Sequence, residues 1–272
     1  MALPPDFQFS QSLLQDYVDC PRRFQLRHLR RLAWPAVESE PFLEHERHLR
    51  QGAAFHRLVW QHLSGLDLGA LSATALEPDL ARWWSTYQEH SPTRLPGRLY
   101  PEAVLSGSVG GFRLVARYDL LALEPGGQAV IVDWKTGPTR PSDRWLEGRL
   151  QTVVYRYLLV EAGGSLTDGV PPEPDGVRMV YWFPEHPTDP ATLPYDSHRH
   201  AADARYLERL VGEIASREEE GLPQADDPRR CAFCSYRSLC ARGQQAGWRP
   251  PDEDDSSEEI ILDFEQVAEI AF

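Results

Sequence analysis

The only lysine of the chain lies among residue types that could hydrolyse a phosphodiester bond. The other 27 of the 28 basic residues are arginines, and the lysine is Lys135. Asp133 lies two positions earlier, so in a β-strand both side chains project from one face. Asp119 sits near the end of the preceding strand-like segment, 112–123, which a short turn joins to this one. Antiparallel pairing would bring two carboxylates to one ammonium, an arrangement suited to binding Mg²⁺ or Mn²⁺ for metal-assisted hydrolysis.

A histidine on a largely apolar helix is the natural third metal ligand. His56 follows Gly52, Ala53 and Ala54, small residues that allow the helix to approach a sheet closely. An inward histidine alone is more often a hydrogen-bonded core residue. Together with Asp119 and Asp133, however, an imidazole ligand would shift the preference from Mg²⁺ toward Mn²⁺.

An amide and a phenol follow the lysine segment at helical spacing. Gln151 and Tyr155 are four positions apart and therefore share a helix face. They could contact a phosphate or a base near the metal, although a partly buried amphipathic helix would show the same spacing.

The cysteines form a compact triplet and one distant residue. Cys231, Cys234 and Cys240 have C-x₂-C-x₅-C spacing, and Cys20 lies 211 positions upstream of the triplet. Structural zinc sites usually pair two C-x₂-C knuckles, and the sequence shows one. A [4Fe–4S] cluster, whose ligands need not come in pairs, fits this pattern better, with Zn²⁺ at the four cysteines as the alternative.

Charge is distributed unevenly along the chain. The net charge is −13, but residues 252–272 hold nine of the 41 acids and no base, which leaves −4 for residues 1–251. An anionic ligand is therefore compatible with the rest of the chain. Near the N-terminus, one segment concentrates arginines that could follow DNA phosphates: Arg22, Arg23, Arg27 and Arg30.

The elements that must position these residues follow from hydrophobic periodicity. A serine, Ser10 or Ser12, can cap a first helix, and further helices are predicted over 21–32, 44–64, 77–90, from Ser142 or Asp143 to about 161, and 200–220. Strands are predicted over 100–109, 112–123, 129–135 and 177–183, with a Gly110-Gly111 turn between the first two. Residues 163–176 and 184–198 read as loops. The order of helices and strands predicts one α/β domain.

Two protein classes are excluded. No apolar run reaches the roughly 18 residues that a membrane span requires. The first ten residues have neither the basic nor the apolar region of a secretion signal, so a cytoplasmic protein without structural disulfides is expected.

The ordered set of motifs resembles the iron–sulfur RecB/Cas4-like branch of the PD-(D/E)XK nuclease superfamily. The matching residues span positions 10–242: Tyr17, Cys20, Pro21 and Phe24; Gly52 and His56; Tyr118 and Asp119; the run from Asp133 to Gly137; Gln151 and Tyr155; Cys231, Cys234 and Cys240. Each motif is modest, but their shared order is specific.

The resemblance implies a restriction-endonuclease-like core, a mixed central sheet flanked by helices, over residues 1–250. An iron–sulfur cluster would join its N- and C-terminal segments. Composition, rather than the resemblance, predicts that residues 251–272 form an acidic, partly disordered tail. The resemblance also implies a Mg²⁺/Mn²⁺-dependent DNA exonuclease acting on single-stranded ends in repair or recombination. Its metal ligands would be His56, Asp119, Asp133 and the backbone carbonyl of Trp134, Lys135 would be catalytic, and Gln151 and Tyr155 would be active-site or DNA-contacting residues.

Alternative functions remain open at this stage. The length and the acidic tail depart from a minimal Cas4 protein, which weakens a role in CRISPR spacer acquisition with adaptation proteins. A DNA-binding subunit of a helicase–nuclease complex that does not cut is a further alternative, and a zinc-binding interaction protein is a third.

Overall fold

One mixed sheet organises the part of the chain that the structure describes. The computed structural model describes residues 3–4, 6–32, 40–92, 95, 97–124, 127–217, 221–232 and 234–242, without the side chains of 40–46. Within these residues six strands form the sheet: β1 (Gln8–Ser10), β2 (Arg98–Val109), β3 (Phe112–Leu123), β4 (Ala129–Trp134), β5 (Val177–Trp182) and β6 (Ala191–Pro194). The long strand β3 pairs with β2 and β4 in antiparallel register and with β1 in parallel register. The strands β4 and β5 are parallel, and β6 is antiparallel to β5.

Helices cover both faces of this sheet. The described helices are α1 (Gln11–Asp19), α2 (Pro21–Phe24), α3 (Glu40–Leu63), α4 (Leu68–Ser72), α5 (Pro78–His90), α6 (Asp143–Glu147), α7 (Leu150–Ala162) and α8 (Ser197–Ser216). The helices α1, α7 and α8 pack on one face, and α3, α4 and α5 pack on the other. The crossover from β4 to β5 runs through α6 and α7, as parallel strands require. The predicted α/β class and mixed flanked sheet are confirmed.

The alternation of side chains divides the core into two layers. In β4, Ala129 and Ile131 pack toward α7, whereas Val130, Val132 and Trp134 pack toward α3 and α5. Period-2 alternation therefore places Asp133 on the α7 face and fixes which helix can reach it.

Several element boundaries differ from the predictions. The predicted helix 21–32 is α2 followed by a π-helical turn, Gln25–Leu29, and the predicted helix from Ser142 is broken at Gly148 into α6 and α7. The predicted loop 184–198 contains β6, and neither β1 nor α4 was predicted. On α3, Trp60 is exposed, whereas Phe55 is fully buried.

Direct polypeptide contacts attach the C-terminal segment to the first helices. The Arg230 guanidinium donates to the backbone carbonyl of Asp19 at 3.1 Å, and the Tyr236 hydroxyl donates to the carbonyl of Leu32 at 2.8 Å. The amide of Arg22 donates to the carbonyl of Pro223 at 3.0 Å. The two ends of the described chain therefore meet through these contacts. The acidic tail, 251–272, lies outside the described residues.

Candidate active site

An amide bridges a carboxylate and the single lysine at the end of β4. Gln151, in the first turn of α7, donates from Nε2 to Asp133 Oδ1 at 2.7 Å and accepts from Lys135 Nζ at 2.8 Å. Lys135 Nζ lies 2.9 Å from Asp133 Oδ2, and the Asp133 side chain is only 3% exposed. The Lys135 amide donates to the carbonyl of Trp182 on β5 at 2.9 Å. The Lys135 backbone is thus fixed by β5, and its ammonium is held by Asp133 and by Gln151 of α7.

A second carboxylate joins β3 to α3. Asp119 Oδ1 lies 3.3 Å from His56 Nδ1, and Asp119 Oδ2 accepts the backbone N–H of Trp134 at 2.9 Å. That backbone bond places Asp119 against the residue that separates Asp133 from Lys135. The structure therefore brings together His56, Asp119, Asp133, Lys135 and Gln151, which the sequence predicted as one group.

The side-chain alternation of the sheet switches face at Asp119. Tyr118 packs in the α7 layer, but Leu120 packs in the α3 and α5 layer, although strict alternation would place both on one face. The neighbouring strand β2 is also irregular at this point. Its residue Glu102 has a positive φ of 52°, whereas the residues before and after it pair regularly with β3. Asp119 lies at this break, and its carboxylate meets His56 of α3.

Glu102 is a third acid at this centre that the sequence analysis missed. It lies opposite Asp119 across the β2–β3 ladder, and its Oε2 is 2.5 Å from Arg117 Nε. A positive φ at a non-glycine residue is costly, on the order of 1–3 kcal/mol, and such strain concentrates at functional sites. The two-residue turn at Gly110-Gly111 is the sequence signal that could have identified Glu102. Such a turn sets the register of the hairpin, and in that register residue 102 lies opposite residue 119.

The pKa shifts of His56 and Asp119 both favour the charged form of the side chain. Burial opposes the imidazolium, but the charge and hydrogen bond of Asp119 outweigh it, and the pKa of His56 is raised. Burial likewise opposes the Asp119 carboxylate, but His56, the Trp134 amide and Lys135 together lower its pKa. Burial and the charge of Asp119 raise the pKa of Glu102, and the opposing charges of Arg117 and His56 only partly offset this rise.

Binding of Mn²⁺ should therefore displace a proton from His56. A metal binds the neutral imidazole ring. Because the pKa of His56 is raised, the ring stays protonated to a higher pH than an ordinary histidine does. The affinity for Mn²⁺ should therefore fall as the pH falls through that pKa. Calorimetric titrations in buffers of different ionisation enthalpy should show proton release on binding near neutral pH. His56→Asn should bind weakly and without proton release, whereas His62→Gln, on the same helix, should match the wild type. Proton release that is unchanged in His56→Asn would assign the proton to another group.

The other site residues predicted from the resemblance occupy neighbouring positions. Tyr155 is buried beside Tyr118, with ring centroids 4.7 Å apart. Burial and the charges of Asp133 and Asp119 raise the pKa of Tyr155 well above its usual value, so the phenol stays protonated and hydrogen-bonds Gln151. The Trp134 ring packs into the α3 and α5 layer, and its carbonyl as a metal ligand stays a prediction.

The arginines predicted to contact DNA are mostly engaged within the protein. Asp16 binds Arg23 Nε at 2.7 Å, Arg27 NH1 at 3.2 Å and His28 Nε2 at 2.9 Å. Arg22 donates to Gln25 at 2.6 Å, and Arg30 is exposed. A phosphate would have to compete with Asp16 for Arg23 and Arg27, so DNA contact by this segment stays a prediction that fits Arg30 best.

The cysteines approach one another across the two ends of the described chain. Burial raises the pKa of Cys234 to about 11, and the neighbouring thiols of Cys231 and Cys20 add to this rise. Cys240 is likewise influenced by Cys20. Nevertheless, within the described residues no group of three or more His, Cys, Asp or Glu side chains already stands in a metal-ligand arrangement. The four thiols are neighbours rather than a formed cage.

The donor set beside Lys135 fits a divalent cation by its chemistry. It offers an imidazole and two carboxylates, all largely buried, residue types that together suit Mg²⁺ or Mn²⁺. Like the thiols, these side chains do not stand in a ready metal-ligand arrangement within the described residues. In the metal-free arrangement the Asp133 carboxylate is turned to Lys135 and Gln151, which supply the positive charge and the hydrogen bond that a buried acid needs.

Comparisons with known proteins agree with this fold. The family model of the PD-(D/E)XK nuclease superfamily matches residues 8–241. The chain therefore belongs to this superfamily of nucleases. The crystal structure of a protein from Eubacterium rectale named "Putative exonuclease" is similar, with a TM-score of 0.53, 10% identity and 91% of each chain covered. The crystal structure of SSO0001 gives a TM-score of 0.37 and 15% identity over 86% of this chain and 85% of that chain. Comparison with the curated proteins finds no match. Members of this superfamily typically use divalent metals. No described helix is both long enough and apolar enough to cross a bilayer.

Proposed function

We propose that the chain is a Mg²⁺- or Mn²⁺-dependent deoxyribonuclease of the RecB/Cas4-like branch that acts as an exonuclease on single-stranded ends. The observation that carries this proposal is the Gln151 bridge between Asp133 and Lys135, with Asp119 and His56 joined to it through the Trp134 amide. The nuclease domain would extend over residues 1–250.

The residues divide the chemistry among them. His56, Asp119 and Asp133 would hold the cation, with the carbonyl of Trp134 as a further ligand. The bound cation would supply Lewis-acid polarisation of the phosphate and an acidified water. Lys135 Nζ orients the attacking water and stabilises the negative charge that develops on the phosphate. Gln151 fixes the ammonium, and the protonated Tyr155 hydroxyl supports that amide. Little reorganisation is then needed when charge develops.

The direct test compares single- and double-stranded DNA labelled at either the 5′ or the 3′ end. Anaerobically purified protein should degrade the single-stranded substrates in Mn²⁺ and leave them intact in EDTA. The order in which products accumulate from each label gives the polarity and separates exonucleolytic from endonucleolytic action. DNA binding without cleavage in either metal would favour the non-cutting subunit of a helicase–nuclease complex and contradict the proposal.

Glu102 should support the centre without being indispensable. Glu102→Gln removes a negative charge opposite Asp119 while keeping the shape of the side chain. We expect Mn²⁺ affinity and cleavage to fall by about tenfold, the effect typical of residues that orient metal ligands. Glu124→Gln, at the end of the same hairpin, is the control and should bind Mn²⁺ as the wild type does. If the wild type, Glu102→Gln and Glu124→Gln bind Mn²⁺ with equal affinity, Glu102 is not part of the site.

We infer that the four cysteines bind a [4Fe–4S] cluster, as the RecB/Cas4-like resemblance implies. The charge of Cys20 acts on the pKa values of Cys231, Cys234 and Cys240, which supports a shared centre. An iron–sulfur cluster predicts a brown anaerobic preparation with broad absorption near 400 nm, on the order expected for such clusters. A colourless preparation that contains zinc would establish the alternative metal. Neither result bears on the carboxylate centre.

A further inference from the structure

One face of the β2–β3 hairpin is open to solvent beside the proposed catalytic groups. The buried residues Leu105, Leu114 and Ala116 pack in the α7 layer, so strand alternation turns their neighbours to the opposite face. On that opposite face, Val104 is 59% exposed and the Arg117 side chain is 55% exposed. We call this surface the open hairpin face, and it consists of Val104, Ser106, Ser108, Arg113, Val115 and Arg117.

The open hairpin face leads to the carboxylate centre. Asp119 lies two residues after Arg117 on β3, so both side chains project from this face. The Asp119 carboxylate meets His56 of α3 there. Arg113 lies six residues before Asp119, which is about 20 Å along a strand. A single-stranded segment of several nucleotides can therefore lie along the hairpin with one end at the centre.

Both arginines of the open hairpin face lean toward the centre. In the ladder Arg113 lies opposite Ser108, but its Nη2 donates to Oγ of Ser106 at 3.1 Å. Arg117 likewise reaches two residues beyond its own ladder partner, with Nε 2.5 Å from Oε2 of Glu102. Each guanidinium is therefore displaced along β2 in the direction of the carboxylate centre.

The charge of Arg113 carries the inference, whereas the charge of Arg117 is offset by Glu102. Ser106 is neutral, so its hydrogen bond orients the Arg113 guanidinium without cancelling the positive charge. Among the residues that the structure describes, no acid forms an ion pair with Arg113. A planar guanidinium held in this way suits two-point contact with a phosphate.

We propose that the open hairpin face holds the single-stranded DNA that leads to the carboxylate centre, and that Arg113 binds one of its backbone phosphates. The strand then lies over β2 and β3 rather than over α2, whose Arg23 is bound by Asp16. Arg113 holds the strand and takes no part in the bond-breaking step. This inference rests on the proposed function, since it presumes that the carboxylate centre receives DNA.

The first test removes the charge of Arg113 and measures binding of a fluorescent single-stranded oligonucleotide in Ca²⁺, with the integrity of the DNA checked by electrophoresis. Arg113→Gln should lower affinity about tenfold at low salt. It should also reduce the slope of log K against log [salt] by about 0.7, the value for one phosphate contact on a single strand. In Mn²⁺ the same variant should raise KM far more than it lowers kcat. The matched control is Arg205→Gln, which removes an exposed arginine from α8 on the other face of the sheet.

The second test adds a charge to the open hairpin face. Val104 lies opposite Arg117 in the ladder, and Val104→Lys should raise affinity about threefold and steepen the salt slope, because it offers one more phosphate contact. The matched control is Val170→Lys, since Val170 is 58% exposed and lies in the segment that follows α7. That control should bind DNA as the wild type does.

Circular dichroism and thermal melting confirm that each variant folds, and the Val104→Lys comparison decides the matter if Arg113→Gln does not. Equal affinities and salt slopes for the Arg113→Gln and Arg205→Gln proteins would overturn this inference while wild-type cleavage leaves the proposed function intact. A Val104→Lys protein that binds no better than Val170→Lys would overturn it as well. A wild-type protein that neither binds nor cuts DNA would overturn both the inference and the proposed function.

Discussion

Replacing Lys135 with alanine should lower the rate of single-stranded DNA cleavage by about a thousandfold, equivalent to about 4 kcal/mol of transition-state stabilisation. The ammonium is held by Asp133 and Gln151, so alanine removes a charge that is already in position. Lys135→Arg should recover little of this rate. A planar guanidinium is too large for a place bounded by these two groups and by the Tyr181 ring, whose centre is 5.5 Å from Nζ.

Initial rates with end-labelled DNA in Mn²⁺ measure this effect. Arg178→Ala is a suitable control, because Arg178 lies on β5 at the Gln128 end, whereas Lys135 contacts Trp182 at the other end of that strand. The control should cleave at close to the wild-type rate. Cleavage by Lys135→Ala at the wild-type rate would remove this residue from the mechanism.

Replacing Asp133 with asparagine should abolish the thermal stabilisation that Mn²⁺ gives the wild-type protein. Metal present at 100 times its Kd stabilises a folded protein by about 2.7 kcal/mol, which corresponds to a rise in Tm of about 5–10 °C for a domain of this size. Asparagine keeps an oxygen for the Gln151 hydrogen bond but lacks the charge that a hard cation requires. The Asp133→Asn variant should also lose DNA cleavage, because it no longer binds the metal.

Thermal melting with and without Mn²⁺, in wild type and variant, measures this effect. Asp143→Asn is the matched control, since Asp143 is an exposed acid that pairs with Arg140. That control should retain the full Mn²⁺-dependent rise. The assignment of Asp133 as a metal ligand fails if the Asp133→Asn protein shows the same rise as the control.

Much of the centre could be predicted because short-range rules govern it. The two-residue turn at Gly110-Gly111 and the short connection after Leu123 dictate that β3 lies between β2 and β4. Strand alternation then places Asp133 and Lys135 on one face, and helical spacing places Gln151 above them. Each of these steps depends on neighbours in sequence, and the structure agrees with each.

The features that were missed depend on long-range contacts or on very short elements. β6 has four residues and ends at Pro194, too few for alternation to distinguish a strand from a loop. The break at Gly148 leaves Leu146, Leu150 and Val154 at an unbroken helical period, so periodicity cannot detect it. The binding of Arg23 and Arg27 to Asp16 depends on the angle between α1 and α2, which composition does not encode. To predict Glu102 as a site residue, one needs both the register of the β2–β3 hairpin and the positive φ at residue 102.

The single lysine permits the most direct test of the central claim, which is that a divalent cation binds beside Lys135. Protein prepared with lysine carrying ¹³C at Cε should give one lysine side-chain signal. Paramagnetic Mn²⁺ should broaden this signal beyond detection in the wild type, and the diamagnetic Mg²⁺ should shift it without broadening. The signal should persist in Mn²⁺ in the Asp119→Asn, Asp133→Asn double variant. A wild-type lysine signal that remains sharp while calorimetry shows bound Mn²⁺ would place the metal elsewhere and contradict the account.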